Sequence, residues 1–430
     1  MGPANLIATV GSARSLRGEV VLPGDKSISH RALMLGAIAG GESRVRGLSA
    51  GADVASTASC LRSLGVEIED RRIAGRGMTG LRAAPGPLDC GNSGTTMRLL
   101  AGLLSAQPFE SELTGDESLG KRPMDRIVEP LRRMGARASW PPLRVGGGDG
   151  LQGIEYQAPV ASAQVKSSLL LAGMYAGGTT EVVEPVATRD HTERMLRAMG
   201  ASIQAMDRRV RISHTENLAP IDIDVPRDVS AASFWLVAAG LIPGSRVRMP
   251  GVGLNPTRTG FLELLRRSGF IVVASADPEA AGEPVGTIEV GPASELRPFD
   301  IDATTAAAMI DELPVLAVAA TQLPGTSTVR GARELRVKES DRIAAMAEAL
   351  TAMGADVTAQ EDGWVIRGPR HLEGATVDSR GDHRIAMAMA VAAVMADGDT
   401  EIEGAECVDI SYPGFWDQLD ALRRGHEPAC

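Results

Sequence analysis

The stretch Asp89-Cys90-Gly91-Asn92-Ser93-Gly94-Thr95-Thr96-Met97-Arg98 runs directly into Leu99-Leu100-Ala101-Gly102-Leu103-Leu104. Two glycines allow a tight turn and a close approach of the backbone to a ligand, and the Ser/Thr run after them is a helix start. The helix that follows is apolar on nearly every side, so it must be buried all round. Its N-terminus presents N–H groups and the positive end of a dipole, with Arg98 one turn in; the natural guest is an anion. Taken alone, Gly-Asn-Ser-Gly is also an ordinary surface turn, because these residues dominate turns for local reasons. Its meaning comes from repetition.

Five more Ala/Leu/Met-rich segments share the pattern: Arg31–Gly40, Val165–Gly177, Ala231–Gly240, Leu313–Gly325 and Arg384–Gly398. They lead into strand-like runs such as Ser43-Arg44-Val45, Glu181-Val182-Val183, Arg246-Val247-Arg248, Thr328-Val329-Arg330 and Glu401-Ile402-Glu403. A second signature, Leu-x-x-x-Gly before a short β run, falls at Leu61–Gly65, Leu131–Gly135, Leu196–Gly200, Leu265–Gly269 and Leu350–Gly354, with a degenerate copy near Leu419–Gly425. There the Gly suits the residue just past a helix end. Units of roughly 65 to 85 residues thus read as buried helix, strand, amphipathic helix, Gly, strands. Six units make two sets of three. Six buried helices cannot surround a sheet, so sheets and outer helices must surround them, giving an α/β protein of two halves. A linear solenoid would carry shorter and more regular repeats.

The 430 residues, 44% hydrophobic and 23% charged, describe a globular chain of two or three domains. Only 3% are aromatic, so small aliphatic side chains must fill the core. A net charge of −10 argues against a nucleic-acid or anionic-membrane partner. Any anionic ligand must therefore be drawn by a local cationic pocket. Cys60, Cys90, Cys407 and Cys430 are scattered without metal-ligand spacing, which points to a reduced, cytoplasmic setting and no metal site. The start Met1-Gly2-Pro3-Ala4-Asn5-Leu6 lacks the charged and apolar regions of a signal peptide, and the apolar run from Ile385 to Ala396 is too short to span a bilayer.

The starts of the buried segments are unusually polar: Pro23 to Arg31, Gly91 to Arg98, Ser162 to Ser167, Arg227 to Ser230, Asp311 to Pro314 and Ser379 to Arg384. If the helices run parallel within each half, these ends gather on one face, and with Lys26, Arg31, Arg98 and Arg384 they make a site for phosphates or carboxylates. Further polar clusters lie between the units. The segment Gly115–Pro123 reads as a loop offering Arg122, and Thr188-Arg189-Asp190-His191-Thr192-Glu193 opens a helix. Leu335–Arg342, if helical, sets Lys338 and Arg342 one turn apart with Glu339 beside them. Singly, each reads first as a solvated, ion-paired helix start; recurrence at equivalent points of a repeat weakens that reading in favour of a site.

Read together, Pro-Gly-Asp-Lys-Ser-Ile-Ser-His-Arg (23–31), Gly-Asn-Ser-Gly-Thr-Thr-Met-Arg (91–98), Arg-Val-Lys-Glu-Ser-Asp-Arg (336–342) and Gly-Asp-His-Arg (381–384) resemble the EPSP synthases, the 3-phosphoshikimate 1-carboxyvinyltransferases, over residues 6–424. The resemblance implies transfer of the enolpyruvyl group of phosphoenolpyruvate to the 5-hydroxyl of shikimate 3-phosphate, with release of phosphate, on the route to chorismate. It implies two inside-out α/β barrel domains built from six βαβαββ repeats, three per domain, around buried parallel helices. One domain would be residues 26–226 and the other, discontinuous, residues 1–25 and 227–430, with the active site in the cleft between them.

By the same resemblance, Lys26, Ser27, Arg31, Ser162, Ala163, Gln164, Arg189, Asp311 and Lys338 hold shikimate 3-phosphate. Phosphoenolpyruvate is held by Lys26, Gly94, Arg122, Gln164, Arg342 and Arg384, and Lys26, Asp311 and Glu339 carry the chemistry. No cofactor or metal is implied, the partners are the two small-molecule substrates, and a monomer is expected. The residue types suit these ligands, because the two substrates together bring two carboxylates and two phosphates, which only fixed Arg and Lys groups can hold side by side. The addition and elimination need an acid and a base. Two local features stand out. Ile410-Ser411-Tyr412-Pro413 lacks the Lys many members carry there, and Gly94 leaves room for the inhibitor glyphosate where some members have Ala. The related enolpyruvyl transferase for UDP-N-acetylglucosamine usually bears a reactive Cys in the loop matching 111–124, where this chain has none. A non-catalytic anion-binding scaffold would not need Asp311, Lys338 and Glu339.

Overall fold

The computed structural model describes residues 6–148, 150–280 and 282–424. The chain forms two compact units: a middle unit of Gly24–Pro226 with Glu279–Glu283, and a terminal unit from the stretches up to Pro23, Arg227–Pro278 and Pro284 onward. Each is a mixed α/β body with its own apolar core.

In the middle unit the helices Lys26–Ala37, Gly94–Leu104 and Ala163–Gly173 are buried along most of their length. The central one, Gly94–Leu104, packs on both others. Gly102 is what brings it so close to Ala163–Gly173, because a Cβ there would collide with the carbonyl oxygen of Ser168. Three four-stranded sheets cover the unit. In each, a parallel pair is extended by two antiparallel strands. Leu88–Asp89 pairs parallel with Glu110–Thr114, then Leu143–Gly146 and Arg137–Ser139 follow antiparallel. The other two sheets are built on the parallel pairs Asp222–Asp224 with Glu42–Arg46 and Glu155–Gln157 with Thr179–Val183.

The terminal unit repeats the plan. Helices Val229–Leu241, Leu313–Ala320 and His383–Ala393 pack on one another and are buried almost throughout. The parallel pairs are Arg17–Glu19 with Arg246–Gly253, Asp300–Ile301 with Gly325–Val329, and Thr376–Asp378 with Thr400–Glu403. The last sheet is three-stranded and takes its antiparallel strand, Ile7–Val10, from the start of the chain. The few aromatic residues are concentrated here: Trp235, Tyr412 and Phe415 stack together, and the Trp235 indole donates to the Tyr412 hydroxyl at 3.0 Å. Ile410 packs against this core at the end of the short 3-10 helix Ala405–Ile410.

The Leu-x-x-x-Gly signature marks helix ends as read. Gly65, Gly135, Gly200, Gly269 and Gly354 sit at φ +86°, +98°, +91°, +94° and +87°, and each follows an outer helix. Gly425 of the degenerate copy, like Met1–Asn5 and Cys430, lies outside the described residues. Cys60, Cys90 and Cys407 are buried and free. Among the described residues no helix is long and apolar enough to cross a membrane.

Candidate active site

Five of the six buried helices begin with a side-chain cap. Asp25 accepts from Ile28 N, Ser93 from Thr96 N, Ser162 from Val165 N, Asp228 from Ser230 N and Asp382 from Arg384 N. The first N–H groups are therefore partly spent on the chain's own oxygens, and three of the caps are carboxylates. Attraction for an anion must come mainly from cationic side chains placed at these ends. The structure supplies two such groups in the middle unit and one in the terminal unit.

In the middle unit, Lys26 opens its helix and its Nζ lies 3.0 Å from Asp53 Oδ2. Arg31, one turn on, is 4% exposed. Its guanidinium donates to Ser27 O at 2.9 Å, to Ser167 Oγ at 2.7 Å and to Thr192 Oγ1 at 2.7 Å. Burial pushes the Arg31 pKa down to about 10; Glu193 and Asp25 oppose the fall and nearby Arg189 adds to it. Arg31 stays charged at neutral pH, and two guanidinium groups stand close enough to repel. Burial, then Lys26 and Arg31, hold the His30 pKa well below the usual range, so His30 is neutral.

A second cluster surrounds the stretch quoted first. Gly91 turns at φ +56°, Ser93 caps, and Gly94 starts the helix. Arg98 donates to Gln164 Oε1 at 2.6 Å, and Gln164 donates to Thr95 Oγ1 at 2.9 Å. Gln164 and Ala163 open the third helix behind the cap Ser162. Arg122, buried, donates to Asn92 Oδ1 at 2.5 Å. A Cβ on Gly94 would stand 2.7 Å from Arg98 Nη1 and 3.3 Å from Arg122 Nη1, so Gly94 faces both guanidinium groups. The segment read as a loop holds the short helix Glu117–Gly120, capped by Asp116, whose other oxygen accepts from Asn92. Asp116 folds that segment back because it satisfies two groups at once.

The terminal unit holds the carboxylates. Arg342, 1% exposed, donates to Asp382 through Nε at 2.8 Å and Nη2 at 3.1 Å, and to Glu339 at 2.7 Å. Its Nη1 has no hydrogen-bond partner among the described residues and lies 3.6 Å from Asp311 Oδ1. Arg384 donates to Asp311 O at 3.0 Å and lies 3.6 Å from Asp311 Oδ2. Asp311 thus sits between two guanidinium groups. Burial alone would lower the Arg342 pKa, but the charges of Asp382, Glu339 and Asp311 hold it above the ordinary arginine value.

One expectation fails here. Lys338 and Arg342 are not on one helix: the 3-10 helix Arg333–Val337 ends at Lys338, which is extended, and a new helix, Arg342–Ala352, begins after the cap Asp341. Arg336 enforces the break. It holds Asp341 at 2.6 Å and reaches the carbonyls of Glu361 and Gln360 at 2.7 Å each, pinning the turn that carries Lys338 and Glu339. Sequence reasoning also passed over Asp53, Asp382 and Thr192 as partners of the predicted cations. Asp382 alone gave a signal, an acidic residue at a cap position beside Arg384.

Such a fold and such sites define an α/β enzyme for multiply charged anions. The profile of EPSP synthase (3-phosphoshikimate 1-carboxyvinyltransferase) matches residues 10–419. The 3-phosphoshikimate 1-carboxyvinyltransferase of Synechococcus sp. (strain JA-3-3Ab) is 50% identical over 97% of this chain and 96% of that protein. The one from Shouchella clausii (strain KSM-K16) is 48% identical over 95% and 97%. Among solved structures, an EPSP synthase from Acinetobacter baumannii superposes with TM-score 0.86 at 41% identity, covering 99% of both chains. The chain belongs to the EPSP synthase family and is a transferase of the shikimate pathway.

Proposed function

We propose that this chain moves the enolpyruvyl group of phosphoenolpyruvate onto the 5-hydroxyl of shikimate 3-phosphate. Each unit is read as three βαβαββ repeats wound inside out, a reading supported by the recurrent parallel pair with antiparallel extension. The protein is read as a cytoplasmic monomer that needs no cofactor. The observation that carries the functional reading is the orphan donor: Arg342 Nη1 is buried, charged and without a hydrogen bond among the described residues, beside Asp311 and Arg384. A buried N–H without a hydrogen bond is costly, and an anionic substrate can accept from it.

Phosphoenolpyruvate is assigned to Arg342, Arg384, Arg122, Gly94, Gln164 and Lys26. Shikimate 3-phosphate is assigned to Lys26, Ser27, Arg31, Ser162, Ala163, Gln164, Arg189, Asp311 and Lys338. In the addition, Glu339 gives a proton to C3 of phosphoenolpyruvate while the shikimate hydroxyl, losing its proton to Asp311, attacks C2. In the elimination, a proton returns from C3 to Glu339, the C2–O bond to phosphate breaks, and the proton held by Asp311 passes to the departing phosphate. Lys26 balances the charge that builds on the tetrahedral intermediate. Phosphate should appear only when both substrates are present, with a product heavier than shikimate 3-phosphate by the enolpyruvyl group. Phosphate release with UDP-N-acetylglucosamine in place of shikimate 3-phosphate, or no release at all, overturns the assignment.

Gly94 gives a second check. Glyphosate should inhibit in competition with phosphoenolpyruvate. In Gly94→Ala the new methyl group meets the flexible ends of Arg98 and Arg122, not backbone, so the fold survives and the guanidinium groups are displaced. A penalty of about 1.4 kcal/mol corresponds to a tenfold rise in the phosphoenolpyruvate KM, with a larger loss of glyphosate inhibition. Unchanged values for both would remove Gly94 from the site.

A further inference from the structure

Lys166 lies one turn into the helix Ala163–Gly173, 2% exposed, and no step above uses it. Its Nζ is 2.7 Å from Glu193 Oε1, 2.9 Å from Glu184 Oε2 and 3.4 Å from the Thr188 carbonyl oxygen. Glu184 in turn accepts from Thr188 N at 3.4 Å and from the Thr188 hydroxyl. Thr188 immediately precedes Arg189. Glu193 lies in the first turn of the helix His191–Ala198 that follows it. One buried ammonium therefore grips the chain on both sides of Arg189.

The charges complete the argument. Burial opposes a charged Lys166, but Glu193 and Glu184 hold its pKa above the ordinary value, so it is an ammonium. Two buried carboxylates exceed one lysine, and Glu193 also acts on Arg31. Asp25 and Glu283 act on Arg31 as well, so Lys166 is what offsets the added charge of Glu184 and Glu193 there. Without Lys166, both carboxylates would draw on Arg31 and Arg189.

We propose that Lys166, acting through Glu184 and Glu193, is a positioning residue of the shikimate 3-phosphate site. It fixes the Thr188–Arg189 turn and absorbs carboxylate charge that would otherwise tie up the two arginines. The proposal rests on the reading that Arg31 and Arg189 hold shikimate 3-phosphate.

Steady-state kinetics of full-length Thr188→Val, Lys166→Met, Lys166→Met/Glu184→Gln and Arg189→Gln test it. Thr188→Val loses the hydroxyl bond to Glu184, and the shikimate 3-phosphate KM should rise roughly fivefold, the worth of one such bond. The kcat and the phosphoenolpyruvate KM should stay within about twofold of wild type, since neither substrate contact nor charge has changed there. Lys166→Met should raise the same KM further, and adding Glu184→Gln, which restores the charge balance, should bring it back part of the way. If Lys166→Met does not fold, Thr188→Val and the charge-balanced double variant decide. A shikimate 3-phosphate KM unchanged in those variants but raised in Arg189→Gln makes the Lys166, Glu184 and Glu193 cluster structural only, as does a rise shared equally by phosphoenolpyruvate. An Arg189→Gln enzyme with wild-type KM removes instead the reading of Arg189 itself.

Discussion

Glu339→Gln should lower kcat by about 10²- to 10⁴-fold, the range lost with a positioned proton donor or acceptor. The shikimate 3-phosphate affinity should stay near normal. The change is nearly isosteric, and the neighbours of Glu339 tolerate it. Arg342, which donates to Glu339 at 2.7 Å, can donate equally to a Gln oxygen and keeps both bonds to Asp382. The turn itself is pinned by Arg336 and Asp341, not by Glu339. Lost turnover therefore reports lost proton transfer and not a displaced loop. Glu339→Asp, which keeps the acid but withdraws it by one methylene, should retain more activity than Gln. The checks are single-turnover kinetics and direct titration of shikimate 3-phosphate binding. A Gln variant within a few-fold of wild-type kcat would move the C3 proton to another group.

Much of this architecture was legible because it rests on local chemistry that repeats. Leu-x-x-x-Gly reports a helix end whatever surrounds it, since the left-handed residue after the helix costs Gly least. A helix apolar on all sides, such as Val229–Leu241, can only be central. The cations proposed for the site stand out for the same reason: Lys26, Arg31, Arg98 and Arg384 interrupt apolar helices. Their partners were not. Asp53 meets Lys26 from 27 residues away, and Thr192 meets Arg31 from 161 away. No local pattern encodes such pairings. Lys338 and Arg342 show the opposite failure. Their spacing suits a helical turn, but the cap at Asp341, fixed by Arg336, restarts the helix between them. The anion attraction first assigned to bare helix ends is likewise modified by tertiary detail, because Asp25, Asp228 and Asp382 turn their carboxylates onto those same N–H groups.

Arg342→Met should destabilise the terminal unit by about 3–5 kcal/mol, the cost of leaving a buried charge without its partner. Arg342 is the centre of a group of three carboxylates. Asp382 is wholly buried and has, besides Arg342, the Ser340 hydroxyl at 3.1 Å and the Arg384 amide at 3.0 Å. Those neutral donors do not replace a bidentate guanidinium. Methionine fills similar volume, so the loss is electrostatic and not a cavity effect. Three outcomes then follow from the charge count. Arg342→Met alone unfolds at lower denaturant. Asp382→Asn in the Arg342→Met background restores part of the midpoint, because the stranded charge is gone. Arg342→Lys keeps the charge but loses the fork, and so falls between wild type and Met in stability while still raising the phosphoenolpyruvate KM. Denaturant unfolding free energies of wild type, Arg342→Met, Asp382→Asn and the double variant give the coupling between Arg342 and Asp382 as a double-mutant cycle. Additive single effects would mean that Asp382 is satisfied without Arg342. The stability lost in Arg342→Met would then come from its pairs with Glu339 and Asp311.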